Sequence, residues 1–485
     1  MKKFISILLI FTIAETYSQQ KTVVITANDL IKHVNYLTSP ELKGRLSGSD
    51  GYNEASNYAA NFFADLKLKP LLNNSFFQHL KVEYNEIKEP LNLSIYNGDE
   101  LAELDLGKDF VCRGFTGSGD VKSDVVFCGY GLSLPEYDDY LDVNVEGKIV
   151  LIFKQNPSWK IEGLTSEMSY PRYKTNLAVR HGAKAVLFVS KPNDINPQEP
   201  IISVLHGPGE QPINTPQLHI DIPIADRILI GSGVNLKFLQ TKIDSSKSPY
   251  SFDTNSLAKV SVNAEYHKEK ETQNVAAILE GCDPILKGEY VLVGAHLDHV
   301  GNQTNKLYAP GANDNASGSA AVLELARALS TDKSNVKRSI VFILFASEEL
   351  GLVGSQFFAE NLSVPAESIT TMINLDCVGH GDSIQIGNGK SAPELWKIAK
   401  SLDELSARRM VNNTWAGGGA DATPFHSIGI PALYFVTTNS YKYLHLPGDK
   451  VETLNFELLE DISNLAFLTI KKIAGGEYVR ELIKQ

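Results

Sequence analysis

The chain has 485 residues, 43% hydrophobic and 21% charged, the balance of an ordinary globular protein and more chain than one core usually serves. Its formal net charge of −12 works against binding nucleic acid or an anionic membrane surface, both of which need clustered Lys and Arg. Four cysteines, Cys112, Cys128, Cys282 and Cys377, are too few and too scattered for a disulfide framework or a zinc knuckle.

In chain order, Lys2 and Lys3 precede the apolar run Phe4 to Ala14 and then Thr16-Tyr17-Ser18. This reads as a cleavable export signal over residues 1–18, which predicts a periplasmic or secreted protein. The run is shorter than the roughly 20 residues of a membrane span, and no other stretch could span a bilayer, so no span is expected after signal removal. Residues 19–110 open with two predicted helices. One carries Leu30, Ile31, Val34 and Leu37 on a single face, with Asn28 or Asp29 available as its cap; the other carries Ala55, Tyr58, Ala59, Phe62, Phe63 and Leu66 at helical spacing. The Gly-rich turn Gly44-Arg45-Leu46-Ser47-Gly48 lies between them.

Over residues 111–255 short apolar runs, such as Val125-Val126-Phe127 and Ile149 to Phe153, alternate with Pro/Gly/Asn/Asp-rich connections. A helix is expected at Tyr173–His181, ending at Gly182 and leading into a strand at Ala185–Val189. This block reads as a compact, mostly β module. Residues 256–485 repeat strand, turn and helix: strands are predicted at Val291–Ala295, Ile340–Phe345, Thr371–Leu375 and Ala432–Phe435, and a helix stripe at Val322, Leu325, Ala326 and Leu329. Such alternation predicts an α/β fold, a mostly parallel central sheet with helices on both faces.

The chemistry sits where those strands end. His296 closes one strand, Glu348-Glu349 lie just past the next, and Asp376 follows a third. Asp314 occupies a Gly/Ala/Asn/Ser-rich turn, and His445 lies in HLPGD. Open α/β sheets form their sites outside the carboxyl ends of their strands, so these segments deliver ligand-type side chains to one edge. Imidazole nitrogen and carboxylate oxygen are ordinary zinc ligands. Two metals side by side need a bridging carboxylate, which a turn-borne Asp314 suits. Asp298, two residues from His296, is placed to orient the imidazole. Adjacent glutamates divide the remaining labour: one binds metal while the other takes the proton of the attacking water. An isolated Glu-Glu or His-x-Asp is commonplace, usually a solvated pair or a cap; their convergence at strand ends is what points to metal-assisted hydrolysis.

The run HLDH, GANDNASG, SEELGLVGS, NLDCVG and HLPGD resembles the di-zinc exopeptidases of the bacterial leucyl aminopeptidase type, and residues 111–255 resemble a protease-associated domain inserted in such an enzyme. The resemblance implies a zinc exopeptidase fold, two Zn2+ per chain, and peptide substrates with a free N-terminus. His296, Asp314 and Asp376 would then hold one zinc, and Asp314, Glu349 and His445 the other. Glu348 would be the general base and Asp298 the supporting carboxylate beside His296. Leu444 stands where several members place a Tyr, and Ala422 where related motifs often place His, which leaves the oxyanion partner unassigned.

Three rivals remain: a carboxypeptidase or dipeptidase of the same family, a single-zinc glutaminyl cyclase, and a non-catalytic receptor-like binding protein. The first needs a basic pocket for the substrate carboxylate, and Arg408-Arg409 lies in a helix-like region away from the motifs. The other two lose ligands or the base, and here all six stand.

Overall fold

The computed structural model describes residues 25–483 apart from 73, 98 and 99; the segment read as an export signal lies outside them. Two helices open it, α1 (Ala27–Leu37) and α2 (Asp50–Asp65). Thr26 rather than Asn28 or Asp29 caps α1, its hydroxyl accepting from the Asp29 N–H at 3.3 Å, so the helix begins ahead of the predicted cap and Asp29 falls in its first turn.

The strands that follow are β1 (Phe77–Asn97), β2 (Phe110–Cys112), β3 (Gly119–Cys128), β4 (Ile149–Phe153), β5 (Ala185–Val189), β6 (Gln217–Ile220) and β7 (Ser251–Leu279). Between them stand α3 (Pro171–Arg180), α4 (Ile222–Leu229) and α5 (Leu236–Ser246). The second half runs β8 (Tyr290–His296), α6 (Gly318–Thr331), β9 (Ser339–Phe345), α7 (Val353–Glu360), β10 (Ile369–Leu375), β11 (Ile384–Gly387), α8 (Pro393–Glu404), α9 (Ala422–Ser427), β12 (Ala432–Thr437) and α10 (Phe456–Lys472).

One sheet carries nearly all of these strands, in the order β11-β12-β10-β8-β9-β7-β3-β4-β5-β6-β2, with β1 also paired to β7. Its centre in the second half of the chain is parallel, as the alternating pattern predicts: β8 pairs in parallel with β9 and β10, and β10 with β12. Those strands are apolar on both sides because helices cover both. On one face Val291, Val293 and Phe342 pack with α1, α2, α6 and α10; on the other Leu292, Val341 and Phe345 meet Phe358 and Phe425 of α7 and α9.

The block expected to be mostly β also carries α3, α4 and α5, and its strands β3, β4, β5 and β6 are parallel neighbours in turn. They are likewise covered on both faces, by Leu177 and Ala178 of α3 and by Ile228, Leu239 and Ile243 of α4 and α5. The 29-residue β7 joins the two halves: its first part pairs with β3 and its last with β9, while β1 runs along it. The boundary expected at residue 255 therefore falls inside a continuous strand. The four cysteines are all free, and Cys377 is buried. Among the described residues no helix is long and apolar enough to cross a membrane.

Candidate metal centre

His296 is the last residue of β8, and Asp376 follows the last residue of β10, its N–H bonded to the Phe435 carbonyl at 3.1 Å. The turn after β9 carries Glu348 and Glu349, and Asp314 lies in the turn ahead of α6. Parallel strands end at one edge, so these side chains meet there.

Asp314 is at the middle of the meeting. His296 Nε2 lies 3.3 Å from Asp314 Oδ1 and 3.4 Å from Asp376 Oδ1. His445 Nε2 lies 3.3 Å from Asp314 Oδ2 and 2.9 Å from Glu349 Oε2. One carboxylate thus offers an oxygen to each of two clusters, which is what a bridging ligand must do. The structure brings together all six residues expected at the site. Glu348 joins the His296 and Asp376 side, where the three ligand atoms lie within 4.8 Å of one another.

Asp298 is fully buried. His296 Nδ1 donates to the Asp298 carbonyl at 3.1 Å and stands 3.7 Å from its carboxylate. With Nδ1 holding the proton, Nε2 keeps its lone pair free for a ligand role. The Asp298 carboxylate also accepts from the N–H groups of Glu348 at 3.1 Å and Glu349 at 3.4 Å, so it sets the turn that carries both glutamates.

Three further residues complete the centre. His299 is buried, and its Nδ1 stands 2.8 Å from Glu349 Oε1. Asp449 accepts from the N–H groups of Asn313 and Asp314. Both lie inside quoted motifs, HLDH and HLPGD, one residue past Asp298 and four past His445, and that position was their only signal. Arg45 is wholly buried and donates to the carbonyls of Leu297 at 3.0 Å, Pro310 at 2.8 Å and Gly311 at 3.1 Å, as well as Leu37, which clamps the His296 and Asp314 loops together. Its neighbour Gly44 has φ +72°, and a Cβ there would lie 2.5 Å from the Gly301 carbonyl oxygen, so glycine alone fits.

The electrostatics suit cations. Asp298, Asp314, Glu348, Glu349 and Asp376 converge in the interior, and Asp376 Oδ1 is buried with no hydrogen-bond partner on the protein. Burial lowers the affinity of His445 for a proton, yet Glu349 and Asp314 outweigh it and hold the imidazole up at about 10. Burial and the neighbouring carboxylates Glu349, Asp421 and Asp376 raise Glu348 well above the usual carboxylate range, against the pull of His296. A pocket that concentrates carboxylates and draws protons onto its imidazoles fits divalent cations bound through N and O.

The centre opens on a cleft of about 530 Å³. Beside the carboxylates and imidazoles its lining includes Leu352, Ala420, Tyr434, Tyr441 and Leu444, and its opposite wall comes from Gln198, Ile201, Ser203 and Leu205 of the middle block. Tyr441 therefore reaches the site beside Leu444: its hydroxyl is 3.2 Å from that of Tyr434, which donates to Asp376 Oδ2 at 3.3 Å. Arg409 is engaged by Glu457 and Asp461 on α10, away from the cleft.

Residues 274–470 match the sequence profile of peptidase family M28. A probable leucine aminopeptidase of Trichophyton verrucosum is 30% identical over 173 residues, which cover 34% of this chain and 48% of that protein. Aminopeptidase Y of Saccharomyces cerevisiae is 26% identical over 471 residues, covering 92% of this chain and 76% of that protein. The matched part of the chain spans about half the length of the first of these relatives. The fold resembles an aminopeptidase from Aneurinibacillus sp. strain AM-1, with a TM-score of 0.63 at 22% identity over 92% of this chain and 93% of that one. Residues 274–470, the part of the chain whose carboxylates and imidazoles converge at the sheet edge, are thus similar to peptidase family M28.

Proposed function

We propose that this protein is an exported aminopeptidase that releases N-terminal residues from peptides, using two zinc ions and Glu348 as general base. The observation that carries the two-metal reading is the placement of Asp314, with one oxygen toward His296 and the other toward His445. His296, Asp314 and Asp376 would hold one ion, and Asp314, Glu349 and His445 the other. When bound, the ions polarise the scissile carbonyl and make water acidic enough to attack at neutral pH.

The protein's own residues do the rest. Glu348 faces the cleft from a turn fixed by Asp298, takes the proton of the attacking water and passes it to the leaving amine. Its raised proton affinity suits a group that must carry that proton between the two steps. His299 and Asp449 position Glu349 and Asp314. Ile201 and Leu205 line the cleft opposite Leu352 and offer apolar surface to the substrate side chain. The protease-associated reading of residues 111–255 and the export of the chain belong to this proposal.

The test uses matched peptides with free and acetylated amino ends, with zinc and after chelation. Zinc-dependent release from the free-amine peptides alone supports the reading. Cleavage of neither peptide by metal-loaded protein would end it.

A further inference from the structure

A second strand edge collects polar side chains that the hydrolytic centre does not use. In the parallel strands of the middle block, Ile152 of β4 is level with Phe188 of β5, and Phe188 with His219 of β6. Side chains alternate along a strand, so Lys154 and Ser190, two residues further on, face the same way as this row. β2 pairs antiparallel with β6, Val111 opposite His219, and Arg113 follows with its N–H on the Gln217 carbonyl. Lys154, Ser190 and His219 thus share one face at the carboxyl ends of three parallel strands, where α/β sheets place ligands, and Arg113, opposite Gln217 at the start of β6, flanks His219 on the same face from the other side.

The gathering is cationic and lacks a counter-charge. Arg113 is 4% exposed, and its Nε and Nη1 are buried with no hydrogen-bond partner on the protein. Lys154 is largely buried and donates to Gln198 Oε1, a neutral acceptor. His219 is fully buried; its Nδ1 accepts from the Ile201 N–H at 3.4 Å, which leaves Nε2–H to donate to Ser190 Oγ at 3.2 Å. The nearby Asp194 is taken by Lys191 at 3.4 Å, and Asp139 faces Lys174. Among the described residues no carboxylate lies within ion-pair distance of Arg113 or Lys154. Burial and Arg113 together push Lys154 down to about 6, which expresses the same missing charge. Two cationic groups held together in an interior are costly unless an anion accompanies them.

We propose that Arg113 and Lys154, with Ser190 beside them, bind a small monovalent anion and that this anion braces the wall of the catalytic cleft. The link is the segment from Gln198 to Ser203. On one side it is tied to the cationic group through Gln198 on Lys154, Ile201 on His219, and the Ser203 carbonyl, which accepts from Gly114 beside Arg113. On the other side Gln198, Ile201 and Ser203 line the cleft in front of Glu348 and His445. The anion is either free in solution or the terminal carboxylate of a short peptide; the latter rests on the aminopeptidase reading.

The experiment measures thermal unfolding of the full, zinc-loaded protein in rising sodium acetate and sodium chloride, against a bulky sulfonate at equal ionic strength. The expected result is a saturating rise in Tm of roughly 2 °C or more with the small anions. Lys154→Met and Arg113→Met should abolish it. Should Arg113→Met fail to fold, Lys154→Met still decides, since it removes the ammonium and leaves only the neutral Gln198 amide oxygen without its donor. An equal response in Lys154→Met and the unchanged protein overturns the site. So does a bromide-soaked crystal with only water between Arg113 and Lys154. Dipeptides with free and amidated carboxyl ends separate the sources. A KM lower by about 10-fold for the free acid, lost in Lys154→Met, assigns the substrate's own carboxylate. Equal KM values with the Tm effect intact assign a free anion. No peptide hydrolysis with the Tm effect intact would end the aminopeptidase reading and leave this site standing.

Discussion

Asp449 holds Asp314 by its backbone: one carboxylate accepts the N–H of Asn313 at 2.9 Å and that of Asp314 at 3.0 Å. The bond fixes the turn that presents two oxygens to two histidines, so removing it should loosen metal rather than abolish folding. Asp449→Ala is expected to weaken metal affinity by about 10–100-fold, the usual cost of losing an outer support. Metal content after dialysis against graded chelator checks this; undiminished retention would count against the role.

The two glutamates should separate cleanly. Glu348→Gln is expected to lower kcat by about 10²–10⁴-fold while metal content stays at the level of the unchanged protein. Glu349→Gln should lose metal as well, because its carboxylate is within 2.9 Å of His445. Elemental analysis beside turnover of a free-amine peptide distinguishes the two outcomes.

Arg45 donates into carbonyls of three separate segments from a fully buried position. Arg45→Met would leave those carbonyls without donors, at about 1–3 kcal/mol each before relaxation. A fall in denaturation midpoint with an unchanged m-value is expected. A midpoint within experimental error of the unchanged protein would refute the clamp.

Acid stability should depend on Glu83. Burial raises its proton affinity, but bonds from Arg172 and Tyr266 and the nearby His206 outweigh that and hold it below the usual carboxylate range. A carboxylate depressed in the folded state contributes stability above its unfolded value, near 4.5, and loses it as pH falls through the folded value. Glu83→Gln should therefore cost roughly 1–2 kcal/mol at pH 7 and flatten the stability profile below about pH 4.5. Urea titrations at pH 7 and pH 3.5 test the sign: an equal loss at both would contradict it.

Much of this was legible before any coordinates. Continuous apolar runs such as Ile340 to Phe345 identify strands buried on both faces, and ligand-type residues at their ends mark the sheet edge. Arg45 was visible only as part of a Gly-rich turn, because the Leu297 carbonyl it bonds lies 252 residues along the chain. Helices α4 and α5 lie in a block whose short apolar runs between Pro/Gly/Asn/Asp-rich connections read as strands, which masks their helical spacing. The extent of β7 was hidden for another reason. Its two ends serve different cores, while its middle, around Asn263 to Glu271, is polar and half-exposed and reads as a connection.

That middle stretch has a mechanical meaning. Where β7 leaves one core and enters the other, it travels with β1 as a two-stranded antiparallel ribbon, with register shifts at Val262/Asn263 and His267/Lys270. A ribbon of this kind bends and twists but does not swivel. Widening of the cleft between the Gln198–Leu205 wall and the metal centre would then flex this ribbon, whose two register shifts are where its ladder is interrupted. Access to the metal centre would then depend on the stiffness of a backbone ladder as well as on the loop that forms the wall.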